Sequence, residues 1–372
     1  MLNGRVADWL VATSDPMGPA ALPSRRLCGD DTDGLFQAAA AHGVLPAVLM
    51  SLRQTAERHG LNRLLADGDH PSRQDGLSAA ISAAQQRILG CTAISMGLRR
   101  QLAEIAEAME RESLPAMVVK GPAFADRIYP HPGLRPFTDL DLLVPARALE
   151  AAGQVLYGLG YRPIEQRGLK YRAGYGQITW TQGGEKGKEK KVPDPFYTGN
   201  VELHWDLVNS PSLQRGLSVQ YDDLQLAVQA RTGGSPDAGR PSTPSDRLCR
   251  RSSPAALLMI AAVHGAASHW FDRLCLLWDV CQAARGAAGA IDEDWLAEAA
   301  ARTGCGRALA MGLHLCEKIL GEPACLQLRR RLGLPKPGVV SRLLLSRSVV
   351  LGRPAPFARA RRLAFRQLLK TK

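Results

Sequence analysis

Asp139 and Asp141 stand two residues apart in the segment DLDLLVP, and no other stretch of the chain carries so clear a chemical signal. In an extended strand alternate side chains share a face, so both carboxylates project together while Leu140 and Leu142 turn into a core. Like charges side by side repel, and each raises the other's pKa. A divalent cation relieves that conflict. Oxygen ligands on a rigid strand suit Mg2+ (or Mn2+), with the remaining positions shared with substrate phosphates. Two solvated aspartates on an exposed strand are the plainer reading of the same pattern.

Three further features bear on the choice. Lys120-Gly121-Pro122 lies about twenty residues upstream, between the apolar run LPAMVVK and the helix-like AFADRIYP. Glycine lets the backbone approach a phosphate, a helix start offers free N–H groups, and Lys120 adds a point charge. VELHW puts Glu202 and His204 on one face of a later strand, where Glu202 completes a carboxylate trio or pairs with an arginine. His204 either orients Glu202 or packs at the sheet edge. Arg135, in the loop feeding the acidic strand, is placed to grip a departing pyrophosphate bidentately, unless it is only solvated.

The elements needed to position these groups can be read from periodicity. Before residue 113 the chain is helical: apolar residues recur at three- and four-residue steps through GLFQAAAAHGVLPAVLMSLRQTAERHG, with a break at Pro46. LADGDHPSRQDG reads as a polar loop, and Ile81, Ile88, Ile94, Leu98, Leu102 and Ile105 mark a helix from about Leu77 to Glu112. From 113 to 210 the order is strand, short helix, strand, helix and further strands. The strands are LPAMVVK, DLDLLVP, YRPIEQ, YRAGYGQITW and VELHWDL. The lysine-rich insert at 183–195 reads as a hairpin tip. From 211 to 372 the chain is helical again, with a flexible linker at about 231–246 and a basic amphipathic tail read as a terminal helix with a solvated charged face. The expected fold class is therefore α+β: a small mixed sheet flanked by N- and C-terminal helical regions.

Bulk properties exclude several classes. The formal charge is +12 and the pI about 9.6, which favours anionic partners. The arginines are scattered and no aromatic stacking platform accompanies them, so nucleic acid is not the favoured partner. The eight cysteines contain no CxxC pair, which argues against a zinc framework or a disulfide scaffold. The start lacks the pattern of a signal peptide, and no run of about 18 apolar residues suggests a membrane span. The expected compartment is the cytoplasm.

VVKGPAFADRIYPHPGLRPFTDLDLLVP followed by VELHW resembles the bacterial "uncharacterised nucleotidyltransferase" family of the DNA polymerase β-like superfamily. The matching residues are Lys120-Gly121, Tyr129-Pro130, Arg135, Asp139-Leu140-Asp141-Leu142-Leu143-Val144 and Glu202. HGVLP at 42–46 and VHGAASHWFDRLCLLWDV at 263–280 extend the likeness through His264, His269-Trp270, Arg273-Leu274 and Asp279. The wider superfamily carries Gly-Ser where this chain has Lys120-Gly121. The resemblance implies a polymerase β-like sheet core and two-metal transfer of a nucleoside monophosphate from an NTP to a hydroxyl-bearing acceptor. Asp139, Asp141 and Glu202 are then the catalytic metal ligands, and Lys120, Gly121 and Arg135 bind the nucleotide. His204, His264, His269 and Arg273 are the candidate substrate contacts. The implied acceptor is a peptide or small molecule of a natural-product pathway. A non-catalytic nucleotide-binding module and an RNA-modifying nucleotidyltransferase are the alternatives.

Overall fold

Five short strands form one sheet in the order β1-β2-β5-β4-β3: β1 (Met117–Val118), β2 (Asp139–Leu143), β3 (Tyr161–Pro163), β4 (Gln177–Gln182) and β5 (Asn200–His204). The structure is a computed structural model and describes residues 3–27, 29–59, 71–164, 175–182, 199–224, 226, 243–352 and 358–370. β2 and β5 run parallel, while β1 with β2, β5 with β4 and β4 with β3 are antiparallel. All five expected strands are present. The 183–195 insert and most of the 231–246 linker fall outside the described residues; Thr243, near the linker's end, caps a short helix at Pro244–Cys249.

Helices surround this sheet. α1 (Gly4–Thr13), α2 (Gly29–Ala41), α3 (Leu45–His59) and α4 (Pro71–Arg111) precede it, α5 (Pro122–Arg127) and α6 (Leu149–Gly158) are inserted within it, and α7 (Pro254–Val263) and α8 (Leu274–Ala284) follow. Beyond them lie α9 (Glu293–Thr303), α10 (Gly306–Leu315), α11 (Pro323–Arg331), α12 (Ala358–Lys370) and shorter turns of helix. α4 begins at Pro71, earlier than the expected Leu77. Proline without an N–H costs nothing at a helix start, so the polar PSRQDG segment can open a helix. The break near Pro46 lies just before it, at 42–44, where Gly43 takes a positive φ.

Period-two alternation divides the interior between the two faces of the sheet. Leu140, Leu142, Val201 and Leu203 face one way and are fully buried against Leu98, Leu102, Ile105 and Met109 of α4 and Ala152 and Leu156 of α6. Met117, Val119 and Leu143 face the other way, into a larger core shared by the N-terminal helices and α7, α8 and α10. This packing runs across residues 112/113 and 210/211, the expected boundaries. α7 is buried along its length from Ala255 to Val263.

Candidate active site

The parallel register of β2 and β5 assembles the carboxylates. Asp141 pairs with Glu202 and Asp139 with Asn200, so Asp139, Asp141, Glu202 and His204 all lie on one face. The edge strand supplies the cation: Val119 N–H donates to Asp141 O at 3.1 Å, which brings the next residue, Lys120, beside the acidic pair. The chain then turns sharply at Gly121, with φ +53. With ψ −111 this is a backbone conformation that side chains with a Cβ rarely adopt, so the turn favours glycine although the space around it would admit a Cβ.

Lys120 Nζ lies 2.6 Å from Asp141 Oδ1, and His204 Nε2 lies 3.0 Å from the same oxygen and 3.5 Å from Glu202 Oε2. Asp141 is buried, with the ammonium and the imidazole as its counter-ions. Burial opposes its ionisation, but Lys120 and the His204 hydrogen bond prevail and hold it well below the usual carboxylate range. Burial likewise opposes charge on Lys120 and on His204. The neighbouring carboxylates outweigh it in both cases and raise both pKa values. Asp139 is the opposite case. Burial and the adjacent Asp141 push its carboxyl up to about 6, against an opposing pull from the Lys120 ammonium.

Across from this charged wall lies a cleft of about 220 Å³, closed on its far side by Ile260 of α7 and by His264, Ser268 and His269. These last three belong to, or directly follow, a π-helical turn at His264–Ser268, an irregularity often found at functional sites. Trp270 and Phe271 then both take positive φ, 53° and 51°. Burial lowers the pKa of both histidines, for His264 well below its ordinary value and for His269 to about 4; the Arg273 and Lys120 charges act in the same direction on His269.

Of the residues singled out from sequence, Lys120, Asp139, Glu202, His204, His264 and His269 line this cleft, and Asp141 lies under Lys120 and His204. Besides Asp141, three residues do not line it. Gly121 shapes the turn. Arg273 sits behind His269, with Nη2 3.0 Å from His269 Nδ1. Arg135 departs furthest from expectation. Its guanidinium binds Asp279 of α8 bidentately, Nε to Oδ1 at 2.7 Å and Nη2 to Oδ2 at 2.8 Å, so it is not free to hold pyrophosphate. Tyr129 donates to the same Asp279 carboxylate at 2.8 Å. Tyr129, Arg135 and Asp279, three parts of the sequence pattern, are thus one buried clamp that fastens the acidic strand's approach loop to α8. HGVLP is a second fastening: Leu274 N–H approaches His42 Nδ1 at 3.4 Å, and Cys275 N–H donates to His42 O at 3.1 Å.

Gln177, Leu207, Asn209, Ile260 and Ser268 also line the cleft. Sequence reasoning missed them; Gln177 enters the site as the β4 residue paired with His204.

The donor set fits a divalent cation. Ligand atoms of Asp141, Glu202 and His204 all lie within 4.8 Å of one another, and Asp139 adds a fourth candidate on the same face. His204 Nδ1 is buried with no hydrogen-bond partner, so this side chain is not fully satisfied by the protein. Three carboxylates against one lysine and one histidine leave net negative charge, as a cation site requires. No helix among the described residues is long and apolar enough to cross a membrane.

The model of a family described as "Uncharacterised nucleotidyltransferase" matches residues 29–321 of this chain. No curated protein and no solved structure matches it.

Proposed function

For a chain that belongs to the uncharacterised nucleotidyltransferase family, we propose metal-dependent transfer of a nucleoside monophosphate from an NTP to a hydroxyl-bearing acceptor. The observation that carries this reading is the in-register placement of Asp141 beside Glu202, with Asp139, Lys120 and His204 on the same side of the sheet. Two carboxylates on one strand and a third on its parallel neighbour also support assignment to the polymerase β-like superfamily.

Asp139, Asp141 and Glu202 would hold Mg2+ or Mn2+, with His204 either as a further ligand or as the donor that orients Asp141 and Glu202. Bound there, the cations neutralise phosphate oxygens and lower the pKa of the acceptor hydroxyl. Lys120 brings the ammonium of the charged wall, able to exchange Asp141 for a phosphate oxygen. Ile260 and Leu207 exclude water from the cleft's inner end. In the reaction the acceptor oxygen forms a bond to the α-phosphorus and gives up its proton, the bond from that phosphorus to the bridging oxygen breaks, and pyrophosphate leaves. NTP as donor fits a cytoplasmic enzyme. A peptide or small molecule of a natural-product pathway is the proposed acceptor class.

Calorimetric titration with each NTP, with and without Mn2+, tests this reading. Metal-dependent binding of at least one NTP is expected; binding that ignores the metal overturns it.

A further inference from the structure

The cleft has two chemically different sides. Lys120, Asp139, Glu202 and His204 make the sheet side charged, whereas His264 and His269 face them from the helical side with their ring centroids 4.7 Å apart in an edge-on contact. A guanidinium carries only donors, so the Arg273 Nη2 at 3.0 Å makes His269 Nδ1 an acceptor. The neutral ring's hydrogen must then sit on Nε2. His269 is therefore a fixed hydrogen-bond donor, polarised from behind by a positive charge and left without a lone pair for proton abstraction. The lowered pKa of both imidazoles agrees with this geometry.

Other groups on the same cleft are neutral as well. Leu207 and Ile260 offer apolar surface, while the Gln177 and Asn209 amides are paired only loosely, at 3.4 Å. The backbone is strained to present the histidines. Two successive non-glycine residues with positive φ persist only where packing over-determines them. Phe271 is buried against Gly265, where any Cβ would fall 2.3 Å from its ring, and Trp270 is covered by Arg362 of α12 at 4.1 Å. An acceptor hydroxyl needs a cation or a base near its oxygen, and those lie on the sheet side. The helical side can only recognise.

We propose that this side of the cleft is a nucleobase subsite. An uncharged heterocycle lies between Leu207, Ile260 and the His264 ring. His269 donates from Nε2 to an acceptor atom on the base edge, and the Gln177 amide, reaching over from β4, and the Asn209 amide meet the remaining edge. Arg273 is a positioning residue that acts through His269. This inference rests on the nucleotidyl-transfer reading of the site.

Titrating the full chain with inorganic tripolyphosphate and with each NTP, all with Mn2+, separates the two ideas. The wild type is expected to bind at least one NTP about tenfold more tightly than tripolyphosphate. His269→Ala removes most of that preference, as loss of one polarised hydrogen bond should, and leaves tripolyphosphate affinity unchanged. His269→Gln, which keeps an N–H donor, retains part of it. In Arg273→Met the preference falls several-fold and the His269 ring 15N shifts move from a single Nε2–H tautomer towards a mixture. Equal affinity for NTP and tripolyphosphate in the wild type overturns the subsite while sparing the metal–phosphate site. A full NTP preference in His269→Ala also overturns it and gives this wall to the acceptor. Equal weakening of both ligands marks His269 as structural. If tripolyphosphate and all NTPs fail to bind, the nucleotidyl-transfer reading fails and takes this inference with it.

Discussion

Replacing Lys120 by methionine keeps most of the unbranched stem and removes the ammonium that Asp141 relies on. The two groups are 2.6 Å apart, with side chains 14% and 3% exposed. At an effective dielectric constant of about 20, unit charges at that distance attract by about 6 kcal/mol. Desolvation of both ions offsets much of this, yet deleting one partner strands the other, which costs about 3–5 kcal/mol. His204 remains 3.0 Å from the same Asp141 oxygen, so the lower end, about 3 kcal/mol, is expected. Urea unfolding of wild type, Lys120→Met, Asp141→Asn and the double variant measures both the cost and the coupling, which should reach about 2 kcal/mol for groups in contact. If a divalent cation takes the charge-balancing role, millimolar Mn2+ restores most of the stability lost in Lys120→Met. Additive single variants would refute the reasoning, because then the ammonium does not balance Asp141. A Lys120→Met protein that Mn2+ fails to rescue, alongside a wild type that Mn2+ stabilises, would refute the idea that lysine and metal serve the same carboxylate.

Two further predictions concern the same framework. The Asp139 carboxyl, raised to about 6, binds its proton more tightly in the folded chain than in the unfolded one, so its contribution to stability without metal falls as pH rises from about 4 to 6. Asp139→Asn should therefore gain roughly 3 kcal/mol over wild type at pH 7 and under about 1 kcal/mol at pH 4; an equal gain at both, read from urea midpoints, contradicts the cause given. Arg135→Ala should cost about 3–4 kcal/mol by stranding Asp279, and Tyr129→Phe about 1 kcal/mol, both seen in thermal unfolding. An Arg135→Ala protein of normal stability that has lost only pyrophosphate affinity would show that the clamp is misread.

The sheet was legible because its strands are short, apolar and locally marked: Leu140, Leu142, Val201 and Leu203 alternate with the polar residues, and alternation fixes which side each carboxylate takes. That Glu202 stands beside Asp141 in a parallel pair is a matter of register between segments 61 residues apart, and no local pattern states it. Arg135 poses a related difficulty. A loop arginine beside an acidic strand resembles a phosphate grip, while its true partner, Asp279, lies 144 residues further on. His264 and His269, at the start of the π turn after α7 and just beyond it, were visible as residue types, but their direction depends on that turn and on Gly265 making room for Phe271. Neutral residues such as Gln177 and Asn209 left almost no trace, since amides on strands and loops are common and carry meaning only in place. The start of α4 at Pro71 was obscured by polar composition, which proline at the first turn permits.

The central claim is that Asp139, Asp141 and Glu202 form a divalent-cation site that nucleotide shares, and Mn2+ electron paramagnetic resonance tests it most directly. Free Mn2+ is titrated with wild type and with Asp139→Asn/Asp141→Asn, each with and without NTP. The wild type should quench the free-ion signal, more strongly once NTP is present, and the double variant should lose that response in both conditions. A double variant that binds Mn2+ and NTP as the wild type does would contradict the account.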